Sequence, residues 1–355
     1  MKKIKFYGRR KKNILFILKE RFYSPSKTSY GLINSAGHVA EYLNKEGRYN
    51  CKIVSVVDSN SIDKEMFEFK PDMVVIEALW VPSDKLKDII AIPRYRDVKF
   101  VIRVHSDIGY LSAETHAIKL INEYRNIKSP RLTVSFNDKD FTEVMQHSMD
   151  KEFVYLPNII ITKQQRKDKR SGWRDERDRI DIGCFGATRI LKNQCFQALC
   201  AIKAADMLQK KLFFHVTPNL NVTNDPVLEN LKQIFKDSDH NLVIHNWMPN
   251  DEFQKLIAKM DLGLQLSFSE SFNIVAADFV NNNRVIIVSD AIDWMSDEFK
   301  TSTSSYEIAT RKIVQVYLHR NHEHLHELMR NDLDRHNEEA VHLWKHFLKD
   351  QLNEY

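Results

Sequence analysis

The chain has 355 residues, of which 43% are hydrophobic and 28% are charged, and its formal net charge is +5 at pH 7. This length and composition indicate a globular protein of about two domains, and only nine glycines and nine prolines exclude collagen-like and low-complexity chains. The four cysteines are too few for a disulfide scaffold and form no metal-like CxxC pair, and this usage favours a reducing, cytoplasmic compartment.

The N-terminus has a basic start followed by a short apolar run, as signal peptides do. Residues 1–12 carry seven lysines and arginines and no acid, and the apolar run Ile14–Leu18 ends at Lys19. This run is too short for a signal peptide and far below the roughly 20 residues that span a bilayer. We therefore interpret it as a buried strand and expect no integral membrane contact.

Short apolar runs alternate with helical patterns through the first half of the chain. The segment Tyr30–Asn44 has apolar residues at helical intervals, which predicts a helix. Strands are predicted at Asn13–Leu18, Cys51–Val57, Met73–Ile76, Lys99–Val104, Leu132–Ser135 and Phe153–Leu156. Strands that alternate with helices indicate a parallel sheet.

The second half repeats this alternation and therefore predicts a second parallel sheet. Helices are predicted at Asn193–Leu208 and Asp251–Met260, and the stretch from Ser304 to Tyr355 is predicted to be helical throughout. Strands are predicted at Ile180–Phe185, Leu212–Val216, Leu242–His245, Leu262–Leu266 and Arg284–Ser289.

A polar stretch joins the two halves. Its segment Lys163–Arg179 holds eight lysines and arginines against four acids, which suits a nearby polyanion or a solvated surface. We predict an α/β protein with two Rossmann-like domains that face a cleft, followed by C-terminal helices. The predicted parts are an N-terminal domain (residues 1–158), a basic linker (159–179), a C-terminal domain (180–300) and a helical segment (301–355). Ligands of such sheets bind beyond the carboxyl ends of the strands.

A glycine and two basic residues follow the strand Ile180–Phe185. Gly186 ends the strand, and Arg189 and Lys192 follow in the loop or the first helical turn. A phosphate there would meet the N–H groups of a helix start and two cations. The alternative is a strand–turn–helix unit whose basic side chains lie in solvent.

A second polar segment follows the strand Leu262–Leu266. A helix is predicted to start near Phe272, and its first N–H groups would form an anion site. The residues that offer those N–H groups are Ser271, Phe272 and Asn273. Glu270 and Asp278 are eight residues apart, so both carboxylates can lie on one helix face and accept hydrogen bonds from sugar hydroxyls. The alternative interpretation is that this segment only caps the helix and carries an exposed acid.

These segments, in this order, resemble GT-B glycosyltransferases of the retaining, family-four kind, and among them those encoded by large tailed phages. The resemblance covers most of residues 13–300. The segments that carry it are Tyr30–Ser35 with Ala40–Leu43, Arg103–Asp107, Leu156–Asn158, Gly186…Lys192–Asn193, His245–Trp247…Phe253, Glu270…Asp278 and Arg284–Asp290.

The resemblance implies that a hexose or pentose passes from a nucleotide-sugar donor to an acceptor hydroxyl, with retention and without a metal or other cofactor. Lys192 and Arg189 would neutralise the departing diphosphate, and Asp278 would bind the ribose. The catalytic residues implied are His105, Glu270, Lys192 and Arg189. The donor-binding residues implied are Gly31, Gly186, Arg189, Lys192, Ser271, Phe272, Asn273 and Asp278.

The chain departs from the family pattern at four positions. Ala187, Asp278, Asn283 and Val285 stand where the family has Arg, Glu, Gly and Pro. Arg189 would supply the charge that is absent at position 187. These departures leave the expected fold intact and leave the donor open.

The acceptor also stays open. For phage enzymes the resemblance implies, as one acceptor, a hydroxymethylated base in duplex DNA in the host cytoplasm, with the basic stretches on backbone phosphates. The same stretches suit a polysaccharide or lipid acceptor at an anionic membrane. Two further alternatives are a non-catalytic scaffold that binds a sugar nucleotide or nucleic acid, and a sugar-nucleotide epimerase of the GT-B type.

Overall fold

A computed structural model of the protein describes residues 10–20, 30–112, 115–162, 177–219 and 224–353. Most of the two basic stretches, residues 1–9 and 163–176, therefore lies outside the described residues. Spatial proximity of the backbone divides the chain into two units. The first unit comprises residues 1–105, 114–161 and 340–355, and the second comprises 106–113 and 162–339.

The first unit is built on a six-stranded parallel sheet with the strand order β2-β1-β3-β4-β5-β6. Its strands are β1 (Lys12–Lys19), β2 (Tyr49–Val56), β3 (Met73–Glu77), β4 (Lys99–Val104), β5 (Leu132–Phe136) and β6 (Val154–Tyr155). The helices in this part of the chain are α1 (Tyr30–Lys45), α2 (Ser61–Phe69), α3 (Ser83–Ala91), α4 (Ile108–Leu111), α5 (Ala117–Arg125) and α6 (Lys139–Met149). Of these helices, α4 belongs to the second unit.

The second unit is built on a five-stranded parallel sheet with the strand order β11-β10-β7-β8-β9. Its strands are β7 (Arg179–Ala187), β8 (Lys211–Thr217), β9 (Asn241–Ile244), β10 (Leu262–Gln265) and β11 (Ile286–Val288). The helices that follow β7 are α7 (Gln194–Met207), α8 (Pro226–Lys236), α9 (Asn250–Ile257), α10 (Ile274–Asn281), α11 (Tyr306–His319) and α12 (Glu323–Gln351). The predicted α/β class with two parallel sheets is confirmed.

The second sheet reverses its strand order between β7 and β10. The chain runs outward from β7 through β8 to β9 and then returns to the other side of β7 as β10. Such a switch point leaves a crevice at the carboxyl ends of its two central strands. The loops that follow β7 and β10 therefore lie where this fold places a ligand.

The C-terminal stretch forms the predicted C-terminal helices, which are α11 and α12. It is interrupted at residues 320–322, where α11 ends and α12 has not yet begun. The last part of α12 belongs to the first unit, where the buried Trp344 donates its indole N–H to the Pro157 carbonyl at 2.9 Å. Its ring also lies 6.4 Å from that of Phe16 on β1. No helix of the described ranges is long and apolar enough to cross a membrane.

The core beside β10 has no room for a side chain at Gly263. A Cβ atom there would lie 2.7 Å from Cε1 of the fully buried Phe279 and 2.9 Å from Cγ1 of Ile286. We expect Gly263→Ala to lower the free energy of unfolding by about 1–3 kcal/mol, because an overpacked core must distort. Urea unfolding measures this, with Gly37→Ala as a control because no heavy atom of the described residues beyond its own helix lies within 4 Å of its Cβ position. An unchanged midpoint for Gly263→Ala would contradict the prediction.

Candidate functional site

The loop after β7 begins with a backbone irregularity at Gly186. Its φ of +100° lies in the region that favours glycine, and the pairing of β7 with β8 shifts register between Cys184 and Ala187. The Gly186 N–H donates to Thr217 Oγ1 at 3.0 Å. Any Cβ atom at Gly186 would lie 3.9 Å from the Lys192 amine, so the glycine borders that cation.

Lys192 and Glu270 form a nearly buried ion pair between the loops after β7 and β10. The Lys192 ammonium donates to Glu270 Oε1, and the two side chains are only 11% and 9% exposed. The loops are also joined through the backbone, because the Phe268 N–H donates to the Leu191 carbonyl at 2.9 Å. The sequence placed both charged residues in the candidate site, and the structure brings them into contact.

Two amide side chains hold these loops in place. Gln197 donates to the Lys192 carbonyl at 2.7 Å and accepts from the Leu266 N–H at 3.0 Å. Asn193, in the left-handed region at φ 56°, donates to the carbonyls of Leu266 and Thr303. Sequence reasoning missed Gln197, and the available signal was a polar residue among the apolar positions of α7.

Helix α10 begins at Ile274 rather than near Phe272, which corrects the predicted start. Asn273 is the N-terminal cap, and its side chain accepts from the Ala276 N–H at 2.9 Å and donates to Gln265 Oε1 at 2.7 Å. The Phe272 ring is buried against Trp294, whose indole N–H donates to the Phe272 carbonyl at 2.7 Å. The Phe272 side chain therefore belongs to the core.

The two carboxylates of the second motif do not share a helix face, contrary to the prediction. Glu270 lies in the loop before α10, whereas Asp278 lies within that helix. Asp278 is buried and accepts from Gln254 Nε2 of α9 at 2.7 Å. Asn273 ends the helical geometry between them, because its φ of +62° turns the backbone out of the helix.

Arg189 and Ser271 flank the ion pair in the chain. Arg189 is exposed, and its guanidinium lies over the Tyr110 ring at 4.8 Å. Its backbone is extended, and its N–H donates to Gln194 Oε1 at 3.3 Å. Ser271 follows Glu270 and is half-buried. Their roles at a donor site stay predictions.

His105 lies in the first unit, beside a buried salt bridge. Its Nε2 contacts Glu77 Oε2, and Asn137 Nδ2 lies 3.4 Å from its Nδ1. Arg103 Nη1 lies 3.3 Å from Glu77 Oε2, and neither side chain of that pair is exposed. Arg103 also donates to Asn158 Oδ1 at 2.6 Å. Sequence reasoning missed Glu77, although an acid at the end of an apolar strand was a visible signal.

The surroundings of His105 favour a neutral imidazole beside an ionised carboxylate. Burial lowers the pKa of His105, and the opposing charge of Glu77 does not reverse this. Burial alone would raise the pKa of Glu77, but Arg103 and His105 bring it below its usual range. The Nε2–H tautomer then donates to Glu77, which fixes the orientation of the ring.

Gly31 lies in the first turn of α1, within the predicted helix Tyr30–Asn44. Among the described residues beyond its own helix, no heavy atom lies within 4 Å of its Cβ position, and its φ is not in the left-handed region. Residues 21–29, which precede the helix, lie outside the described residues. A role of Gly31 at the donor diphosphate stays a prediction.

No family model and no curated protein matches the chain. Solved structures do match it. A glycosyltransferase from Rickettsia africae has a TM-score of 0.67 at 12% identity, over 97% of this chain and 100% of its own. A UDP-forming trehalose-phosphate synthase from Burkholderia xenovorans has a TM-score of 0.64 at 11% identity, over 97% and 99%. A structure from E. coli, bound with UDP-2-fluoro glucose, has a TM-score of 0.65 at 10% identity, over 96% and 99%.

The chain has the GT-B fold. In this fold the ion pair of Lys192 and Glu270 lies at the strand-order switch of the second sheet. His105 lies at the carboxyl end of β4 in the first sheet. Lys192, Glu270 and His105 therefore each follow the carboxyl end of a strand in their own sheet.

The second GT-B sheet also carries a hydrogen-bonded chain of Asp181, His215 and His245 that the sequence did not predict. His215 Nε2 lies 3.0 Å from Asp181 Oδ1, and His215 Nδ1 lies 2.8 Å from His245 Nε2. The two imidazole rings stack with centroids 5.1 Å apart. Burial and the charge of His215 lower the pKa of His245 to about 4.

We expect the His245 ring to titrate near pH 4 and not near its usual 6.5. Between these two pH values, the unfolded chain binds a proton at His245 that the folded protein does not bind. The free energy of unfolding therefore decreases as the pH drops from about 6.5 towards 4. His245→Gln replaces the imidazole by an amide that does not titrate, and it is expected to remove the contribution of His245 to this slope. NMR titration and urea unfolding at several pH values measure both effects. A ring that titrates near 6.5 would contradict the prediction.

Proposed function

We propose that the protein transfers a sugar from a nucleotide-sugar donor to an acceptor hydroxyl, with the donor bound at Lys192 and Glu270. The observation that carries the proposal is this nearly buried ion pair at the switch point of the second sheet. A lysine and a carboxylate placed together suit a donor that has an anionic diphosphate beside polar sugar hydroxyls. Two matching structures, described as UDP-forming and as bound with UDP-2-fluoro glucose, support a nucleotide-sugar donor.

In the proposed reaction, the bond from the anomeric carbon to the diphosphate oxygen breaks and the acceptor oxygen bonds to that carbon. The nucleoside diphosphate leaves with the bonding electrons, and Lys192 and Arg189 stabilise its charge. Glu270 releases Lys192 to the diphosphate and accepts hydrogen bonds from sugar hydroxyls. The acceptor proton ends on the released diphosphate.

The remaining residues have supporting roles in the proposal. Asp278 binds the ribose, and Gly186 allows a phosphate to approach the backbone of its loop. The N–H groups beside Ser271 and Asn273 contact the sugar or phosphate. His105, neutral and oriented by Glu77, binds a sugar hydroxyl.

Retention and independence of metal ions are part of the proposal and rest on the resemblance to family-four enzymes. The cations of Lys192 and Arg189 supply the positive charge that a metal would otherwise bring. Transfer in the presence of EDTA and NMR of the product anomer test these two points.

The experiment that tests the proposal measures the nucleoside diphosphate released from UDP-, GDP-, ADP- and CMP-sugars, with and without acceptors. The acceptors tested are hydroxymethylated duplex DNA, a polysaccharide and a lipid-linked sugar. The proposal expects release from at least one donor, loss of release in Lys192→Met, and normal release in Lys255→Met, whose side chain is 75% exposed. Binding without release or transfer would instead support the non-catalytic scaffold. A donor converted to another nucleotide sugar would support the epimerase.

A further inference from the structure

A short segment that follows β4 in the chain contacts both loops of the candidate donor site. This segment, Asp107–Tyr110, includes the start of α4 and belongs to the second unit. The Tyr110 ring of this segment packs against the Arg189 guanidinium from the loop after β7. The segment also contacts Ser269, the residue directly before Glu270.

Asp107 binds Ser269 through a side-chain hydrogen bond. The Ser269 hydroxyl donates to Asp107 Oδ2 at 2.6 Å, while Asp107 Oδ1 accepts from the Ile108 N–H at 2.6 Å. One carboxylate therefore caps α4 and holds the loop after β10. Because Ser269 is buried, its hydroxyl has little freedom to turn to another partner.

Gly109 is required at this contact by space and not by backbone conformation. A Cβ atom at Gly109 would lie 2.5 Å from Ser269 Oγ and 2.6 Å from Ser269 Cβ. The hydroxyl can rotate away, but Cβ is fixed to the backbone. Any side chain at position 109 must therefore shift the backbone of Ser269 or of the segment itself.

A shift of Ser269 reaches the ion pair through one peptide bond. Glu270 is the next residue, and the neighbouring Phe268 is hydrogen-bonded to Leu191, which precedes Lys192. A displacement of about 1 Å in a substrate-positioning group can cost roughly 100-fold in rate. The close contact of Gly109 with Ser269 thus affects the relative position of Lys192 and Glu270.

We propose that Gly109 and Asp107 are positioning residues, which hold Ser269 so that Glu270 lies against Lys192 in the protein without a donor. The segment thereby sets where the sugar and diphosphate of the donor lie. The role toward a donor rests on the proposed function, whereas the positioning of the ion pair does not.

The test measures the acetylation rate of Lys192 by peptide mass spectrometry in the protein without ligand. The ion pair shields Lys192 in the wild type, so Gly109→Ala is expected to raise the rate several-fold. The double variant Gly109→Ala/Ser269→Gly lacks Ser269 Cβ, with which the new methyl group would clash, and is expected to reverse most of that increase. Ser269→Ala adds no atom, removes only the hydrogen bond to Asp107 and is expected to raise the rate to a smaller extent. Gly37→Ala is the matched control, because its Cβ position is open.

Donor affinity is then measured for the same variants, with thermal midpoints as a check on folding. We expect a loss of roughly 10- to 100-fold in Gly109→Ala and recovery in the double variant. Unchanged Lys192 acetylation in both Gly109→Ala and Ser269→Ala would overturn the positioning role, as would an increase that Ser269→Gly does not relieve. A Gly109→Ala chain that does not fold leaves Ser269→Ala to decide. If the acetylation pattern is found but the wild type binds no nucleotide sugar, the proposed function fails and the positioning contact stands.

Discussion

Replacement of Lys192 by methionine is expected to reduce kcat/KM for the nucleotide-sugar donor by roughly 100- to 1,000-fold, or about 3–4 kcal/mol. The lysine lies in contact with Glu270 at the switch point of the second sheet, where few water molecules can screen its charge. Methionine has a similar length and no charge, so the substitution removes the electrostatic contribution and little packing. Initial rates of nucleoside diphosphate release at several donor concentrations measure the effect.

The same substitution leaves Glu270 nearly buried without its cation, so a loss of stability must be separated from a loss of chemistry. Lys192→Met/Glu270→Gln removes both charges and is expected to recover the thermal midpoint but not the activity. Lys255→Met removes an exposed lysine and should change neither quantity. Activity in Lys192→Met within a factor of about three of the wild type would contradict the proposed role, because the expected loss is far larger.

Glu77→Gln is expected to lower the free energy of unfolding by about 3–5 kcal/mol, the usual cost of breaking a buried ion pair from one side. Neither Glu77 nor Arg103 is exposed, so the glutamine leaves a guanidinium charge in the core without an ionised partner. His105 also loses the carboxylate that its Nε2 contacts. Urea unfolding followed by tryptophan fluorescence is suitable, because the Trp344 ring lies 5.4 Å from the Arg103 guanidinium.

Two further variants show whether this cost comes from the unpaired charge. Glu68→Gln removes an exposed carboxylate from α2 and is expected to change stability little. Glu77→Gln/Arg103→Met removes both buried charges and is expected to recover much of the loss, because replacing a whole buried pair is often nearly neutral. A loss below about 1 kcal/mol in Glu77→Gln would place the pair in a more hydrated setting than its burial indicates.

The strands could be predicted because each is a short apolar run whose neighbours along the chain are polar. Lys99–Val104 was predicted at its observed bounds, and Met73–Ile76 lacks only Glu77. That one omission removed the partner of His105 from the sequence-based site. An apolar pattern identifies the buried part of a strand. Glu77 at the end of β3 breaks that pattern because it is charged, although it is as buried as the apolar residues before it.

The remaining differences come from contacts between distant parts of the chain. The sequence gives no local signal that Gln197 bonds to Lys192, or that Asp107 bonds to Ser269, 162 positions away. The return of α12 to the first unit depends on the fit of Trp344 over Phe16 and Arg103, which helical periodicity does not encode. Lys192 and Glu270 could be found because each follows a strand that the pattern had already located.

Calorimetric titration of the protein with nucleotide sugars tests the proposed donor site most directly, because it needs no acceptor. The proposal predicts saturable binding of at least one nucleotide sugar to the wild type and to Lys255→Met, and no measurable binding to Lys192→Met. Absence of binding to the wild type across UDP-, GDP-, ADP- and CMP-sugars would contradict the proposal, and so would equal binding to Lys192→Met.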